Sequence, residues 1–310
     1  LFTSALVGAG PDFVSEIDES DGSIALFSPK IAVLNNVSLD HKSMEELRTL
    51  FGDFLARADA AVLNLDNKEA AALRPRAKKA LTYGLDAEAD FGAEAIAVAP
   101  YGVSFTAIDR RSGARASVSL KVPGRHNVAN ALAAIAASAA AGVSFEAAAA
   151  ALGDFQGVRR RFELVGEAAG VAVIDDFGHN PDKIAATLKT LHDFPGRLLV
   201  MFQPHGFGPL KKMKAELTAC FAENLAADDI LLMPEPVYYG GTTDRSVSSG
   251  DIVAGVAAAG GQAEALATRE DCGRRLLDLA RAGDRIIVMG ARDDTLTVFA
   301  EELVAALKRR

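Results

Sequence analysis

The stretch Val171-Ala-Val-Ile-Asp-Asp-Phe-Gly-His-Asn-Pro181 decides the reading of this chain. Its four opening residues are apolar, with Val171, Val173 and Ile174 β-branched, and they describe a short buried strand. Asp175 and Asp176 end that strand. Phe177-Gly-His-Asn-Pro181 then leads into an apolar period, Ile184, Leu188 and Leu191, which predicts a helix. Polar groups at the carboxyl end of a strand, just before a helix, stand where open α/β sheets bind ligands. Asp175, Asp176 and Asn180 serve equally well as turn and cap formers, and this stretch alone does not separate the two roles.

Downstream, strands are expected at Arg197–Gln203, Asp229–Met233 and Asp284–Met289. Helices are expected at Lys211–Leu225, Asp251–Ala259, Asp271–Leu279 and Thr295–Leu307. That alternation predicts a parallel, doubly wound sheet, with Gly290 as a tight turn after the last strand. Upstream, Phe13–Asp18 is strand-like and runs into the acidic Glu16-Ile-Asp-Glu-Ser-Asp21. Lys30–Asn36 and Ala60–Leu65 read as strands. Between them Ser43 caps a helix with Glu45 and Glu46 in its first turn and Leu47, Leu50, Phe51, Phe54 and Leu55 on one face. Ile96–Ala99, Val103–Asp109 and Ala116–Val122 follow as strands, with a hairpin turn at Ser112-Gly113. Pro123-Gly-Arg-His-Asn-Val-Ala-Asn130 opens a helix to about Ala141, and Ser144–Leu152 forms another.

A length of 310 residues exceeds one average domain, so two are expected, at 1–155 and 156–310. Half the residues are hydrophobic, which is a globular composition with ample core, and a net charge of −8 argues against a general nucleic-acid surface. Cys220 and Cys272 lie far apart with no metal or redox spacing, which fits a reducing compartment. No uninterrupted apolar run is long enough to span a membrane. The N-terminus has neither an initiator Met nor a basic region before an apolar stretch, and it reads as an interior start.

Four patterns carry chemistry. Glu16 and the Asn36–His41 strand end offer carboxylate and imidazole groups of the kind that hold Mg²⁺ with phosphate, or else form solvated turns. Asn127 and Asn130, three apart, project from one side of a helix's first turn, where a Gly-containing turn suits a ligand's polar edge. Arg159, Arg160 and Arg161 lie between Phe155 and Phe162, in a segment that is either a phosphate clamp or a solvated linker. The fourth is the opening stretch itself.

Taken together, Glu16–Asp21, Asn36–His41, His126–Ala131, Phe155–Phe162, Asp175–Pro181 and Phe202–His205 resemble, in order, the motifs of the Mur ligases, most of all the alanine-adding branch. The resemblance spans most of the chain. It implies a truncated P-loop-type central domain with a mixed sheet, followed by a Rossmann-like C-terminal domain. It also implies a cytoplasmic, ATP- and Mg²⁺-dependent ligase that joins a carboxylate to an amine through an acyl phosphate, in peptidoglycan synthesis or recycling. Its partners would be small molecules: a UDP-muramyl carboxylate and an amino acid or peptide. No nucleic acid or membrane is implied, and the expected state is a monomer or weak homodimer. Carried over, Glu16 and His41 would hold Mg²⁺, and His126, Asn127 and Asn130 would meet the nucleotide. Arg161 would reach the γ-phosphate and Asp176 the nucleotide. His179, His205 and Lys211 would lie near the amine. Asp175, Glu19 and Arg159 would be structural.

Three departures qualify the match. The Gly-x-x-Gly-Lys-Thr-Thr phosphate loop is absent from these residues, so the chain is expected to be inactive by itself. Arginines expected after Phe-Gln-Pro-His are replaced by Gly206-Phe-Gly-Pro-Leu-Lys-Lys212, and Asp-His is followed by Lys42-Ser-Met. These leave the amine open between alanine and a murein tripeptide. They also leave open a non-catalytic nucleotide- or peptide-binding module, or an amide ligase for folate polyglutamate or an amino-acid polymer.

Overall fold

A computed structural model describes residues 8–19, 21–38, 42–237, 244–291 and 293–310. The chain forms two compact units. The first comprises the described residues up to Ala95 with Phe105–Val118 and Val128–Ala151, and the second comprises Ile96–Ser104, Ser119–Asn127 and Leu152–Arg310.

The first sheet runs in sequence order: β1 (Ile31–Leu34), β2 (Ala60–Asn64), β3 (Ala80–Tyr83), β4 (Phe91–Ala99), β5 (Gly102–Asp109) and β6 (Ala114–Leu120). Strands β1 to β4 pair in parallel. The connections from β4 to β5 and from β5 to β6 are too short for a crossover, so those strands return antiparallel. Gly113, at φ +79°, supplies the left-handed residue of the second turn. Helix α1 (Met44–Arg57) begins where Ser43 and Glu46 close a capping box. Its Leu47, Phe54 and Leu55 pack with Ala32, Leu34, Ala61 and Leu63. The short α2 (Lys68–Ala72), and β3 after the basic run Arg74–Lys79, carry too little pattern to be read from sequence. Phe13–Asp18 forms no strand. No described strand pairs with it, and Phe13 and Val14 are exposed. An extended segment without a ladder has nothing to hold its backbone groups.

Helices α3 (Arg125–Ala140) and α4 (Phe145–Ala151) precede the second sheet, whose order is β11-β10-β9-β12-β8-β7. Its strands are β7 (Glu163–Ala168), β8 (Val171–Asp176), β9 (Leu198–Gln203), β10 (Ile230–Pro234), β11 (Gln262–Leu266) and β12 (Arg285–Gly290). Five are parallel and β7 is antiparallel on β8, so the sheet is mixed rather than wholly parallel. The hairpin turns at Ala169-Gly170, both left-handed. On one face lie α5 (Pro181–His192), α6 (Phe207–Lys212), α7 (Lys214–Asn224) and α8 (Ser249–Ala258). They pack Ile184, Leu188, Leu217, Phe221 and Ile252 on the strands. On the other lie α9 (Arg269–Leu279) and α10 (Thr295–Leu307), with Leu276, Leu296 and Phe299. The helix expected at Lys211–Leu225 is two helices broken at Met213. Lys211 and Lys212 therefore close α6 rather than open a helix.

Both cysteines are buried, and desolvation pushes the Cys220 thiol up to about 11 and Cys272 up to about 12. Ellman's reagent should therefore leave both unmodified in the native protein at pH 8 and titrate both after denaturation. Rapid native labelling would contradict this packing.

Candidate functional site

Side chains alternate across β8, so its two terminal carboxylates enter different layers. Asp175, fully buried, accepts from Thr297 Oγ1 of α10 at 2.7 Å and lies 3.4 Å from Arg160 Nε. Burial raises its carboxyl above the ordinary range, against the opposing pull of Thr297 and Arg160. Asp176 enters the α5 layer and is also buried. Its Oδ1 accepts from Gly178 N at 2.8 Å and Thr187 Oγ1 at 3.1 Å, and its Oδ2 from Phe162 N at 2.8 Å. Asp176 thus ties the segment before β7 to the turn after β8. Asp176→Asn would present an amide to donors and should lower stability by about 1–3 kcal/mol, read as a lower denaturant midpoint. An unchanged midpoint would mean these bonds carry nothing.

The Arg-Arg-Arg segment divides its labour. Arg160 is buried, donating Nη2 to Gly290 O at 2.6 Å and Nη1 to Asp293 O at 3.0 Å. It therefore binds the start of β7 to the turn after β12. Sequence alone gives no sign that the middle arginine is the internal one. Arg160 and Phe162 are both left-handed, at φ +59° and +51°, a conformation that costs a non-glycine residue about 1–2 kcal/mol. They are held there by Arg160 N to Glu163 Oε2, by Phe177 N to Arg160 O, and by Asp176. Arg161 stands between them, exposed, with its guanidinium 4.7 Å from the Phe177 ring centroid. Strain of this kind persists where the surroundings over-determine it, as at binding sites.

From Phe177 a row of rings continues. His179 meets Phe177 edge-on at 5.3 Å, and His205 meets His179 edge-on at 5.6 Å. His179 follows β8 and His205 follows β9, strands that flank β12 in the sheet. The chain leaves β12 for the face opposite the one it takes after β8 and β9. The row therefore lies at a topological switch point. Gly290 allows the turn beneath it, because a Cβ there, at φ +151°, would stand 2.8 Å from Gln203 O. Gln203 and Arg269 both donate to Asp293 Oδ2, at 2.7 and 3.1 Å, and fix that turn. Lys211 pairs with Asp244, whose carboxyl is drawn down to about 2 by Lys211 and Ser246.

At the start of α3, Asn127 Nδ2 donates to Pro123 O at 2.7 Å, closing the turn into the helix. The His126 ring lies against Gly124, left-handed at φ +94°, where a Cβ would be 2.6 Å from Cε1. Desolvation lowers the His126 pKa, favouring the neutral imidazole. A neutral ring beside Asn127 and the exposed Asn130 suits an uncharged base edge better than a phosphate. Glu16 is exposed in an irregular stretch, where a carboxylate can serve as an oxygen ligand for Mg²⁺. The second expected metal ligand, His41, lies outside the described residues. Among the described residues no cluster of three or more His, Cys, Asp or Glu side chains forms a metal site, and no helix is long and apolar enough to cross a membrane.

Residues 13–138 match the Mur ligase middle domain and residues 160–292 the Mur ligase, glutamate ligase domain. A UDP-N-acetylmuramate–L-alanine ligase of Anaeromyxobacter dehalogenans is 35% identical over 99% of this chain and 68% of its own length. The ligase of that name from a Geobacter species is 36% identical over 94% and 64%. Among solved structures, UDP-N-acetylmuramate-alanine ligase MurC of Thermotoga maritima superposes with a TM-score of 0.71 at 22% identity, covering 94% of this chain and 63% of that one. A murein peptide ligase of Psychrobacter arcticus gives 0.57 at 25% identity, covering 93% and 59%. The chain thus spans about two thirds of the length of these relatives.

Proposed function

The chain belongs to the Mur ligase family, and on that premise we propose that it serves an ATP- and Mg²⁺-dependent ligase joining an amino acid or peptide to the carboxylate of UDP-N-acetylmuramate. The observation that carries this reading is the exposed Arg161, presented between two left-handed residues at the head of the ring row.

The reaction gathers anions, because ATP phosphates must approach a carboxylate before an amine attacks the resulting acyl phosphate. Bound Mg²⁺ would supply charge neutralisation, with Glu16 and His41 as its protein ligands. Arg161 would add a guanidinium that stays charged and binds phosphate oxygens bidentately. Arg160 and Asp176 would act as positioning residues that fix the backbone on both sides of Arg161, and Asp176 would also contact the nucleotide. His126, Asn127 and Asn130 would take the adenine edge. His179 and His205 would meet the incoming amine, with the His179 ring oriented by its Nδ1 contact to Phe177 O at 3.1 Å. We place the reaction in the cytoplasm, where UDP-linked precursors and ATP meet, and the domain division at 155/156.

The test is phosphate release from ATP and Mg²⁺ by the whole protein that carries this chain, with UDP-N-acetylmuramate and, in turn, alanine, serine, glycine and the murein tripeptide. Release with one of them establishes the ligase and names the amine. Silence with all of them, from a protein that still binds ATP, would replace the ligase reading with a non-catalytic binding module or with another carboxylate substrate.

A further inference from the structure

The connection from α2 to β3, the loop from β3 to β4 and the turn after β5 meet around a hollow of about 370 Å³, lined by Arg74, Thr82, Glu88, Asp90, Arg110 and Arg111. All of these residues belong to the first unit, and none to the candidate site above. A volume of about 300–1,000 Å³ is that of a small-molecule site. Asp90 is tied to β3, its Oδ2 accepting from Thr82 N and Thr82 Oγ1, both at 2.8 Å. Arg111 lies over the Phe91 ring at 4.6 Å and forks Asp109, with Nε to Oδ1 at 2.9 Å and Nη2 to Oδ2 at 2.8 Å. It also feels the charge of Asp90, so Arg111 answers both carboxylates.

Arg110 and Arg74 are placed differently. Arg110 donates Nη1 to Ala89 O at 2.9 Å, and its guanidinium lies on the backbone of Gly92, where a Cβ would stand 2.2 Å from Nη1. A glycine inside β4 thus makes room for the guanidinium, and the carbonyl takes one donor of the fork and leaves the others. Arg76 is spent on Asp53, whereas no carboxylate among the described residues pairs with Arg74 or Arg110. The chain has 41 acidic side chains against 33 basic ones, so that is no shortage of partners. The remaining carboxylate of the hollow is the exposed Glu88.

We propose that this hollow binds a phosphate group, free or carried by a small molecule, with Arg74 and Arg110 as its ligands. The site goes beyond the ligase reading and stands without it. A guanidinium stays charged and meets phosphate oxygens through paired, planar donors, and two of them match the charge of a phosphate. Glu88 competes with the anion, since its carboxylate puts a like charge in the same hollow.

The test is an NMR titration of the chain with inorganic phosphate and with glycerol 3-phosphate at constant ionic strength, following the amides of Thr82, Asp90 and Gly92. The expected result is saturable shifts with a Kd of about 1 mM or tighter for at least one of the two. Tighter binding of glycerol 3-phosphate supports a phosphate ester as the occupant, and equal binding supports the free anion. Arg74→Gln and Arg110→Gln should each weaken binding about tenfold, with partial recovery by Lys at either position. Glu88→Gln should tighten it about threefold. Arg161→Ala should leave the shifts at these three amides unchanged, which separates this site from the phosphate role given to Arg161. Arg74 is exposed, so Arg74→Gln decides the matter even where Arg110→Gln, which gives up Ala89 O, does not fold. Absence of saturable shifts up to about 20 mM, or an unchanged Kd in Arg74→Gln, overturns the assignment.

Discussion

Arg161→Ala is expected to cut turnover by about a thousandfold while leaving the thermal transition of the chain almost unmoved. Removing one preorganised donor to a developing anion costs on the order of 10²–10³ in rate, and removing a phosphate-binding arginine can cost more. The stability side is small because Arg161 is exposed and its local contact is the Phe177 ring, worth about 1 kcal/mol or less at such a site. Arg161→Lys should recover only part of the rate, since an ammonium is a point charge without the fork. Turnover within threefold of wild type in Arg161→Ala would remove the phosphate role, and a large drop in melting temperature would show the residue to be structural instead.

Arg160→Ala, one residue away, should do the opposite first. It takes the donor from Gly290 O and Asp293 O and leaves Asp175 buried with Thr297, among the described residues, to answer it. Breaking a buried charge pair from one side costs about 3–5 kcal/mol. For a unit of this size that lowers the melting temperature by about 10 °C. The readout is calorimetry on the transition of the C-terminal unit. The double variant Arg160→Ala/Asp175→Asn should be less destabilised than the sum of its singles, because the amide removes the uncompensated charge. A shift below about 2 °C in Arg160→Ala would mean that the buried guanidinium contributes nothing.

Much of the fold was legible because local signals were strong. The capping box at Ser43, the β-branched run before Asp175, the Asn180-Pro181 helix start and the helix Thr295–Leu307 each announce themselves within a few residues. The edge strands β7 and β11 did not, since half-exposed strands with mixed polarity resemble loops until a neighbour supplies the ladder. Phe13–Asp18 failed in the other direction: its pattern is strand-like, but no described strand pairs with it.

The candidate site divides along the same line. Residue type and short spacing are enough to show the family, the alternation of strands and helices in the second half, and the placing of Asp175 and Asp176 at a strand end with His179 in the turn before a helix. Which arginine of three is buried, that Asp175 and Asp176 serve opposite layers, and that Arg245 lies on Phe207 emerge in the folded chain. Those outcomes turn on contacts between residues far apart in the chain, such as Arg160 with Gly290 and Asp175 with Thr297, and no local pattern encodes them.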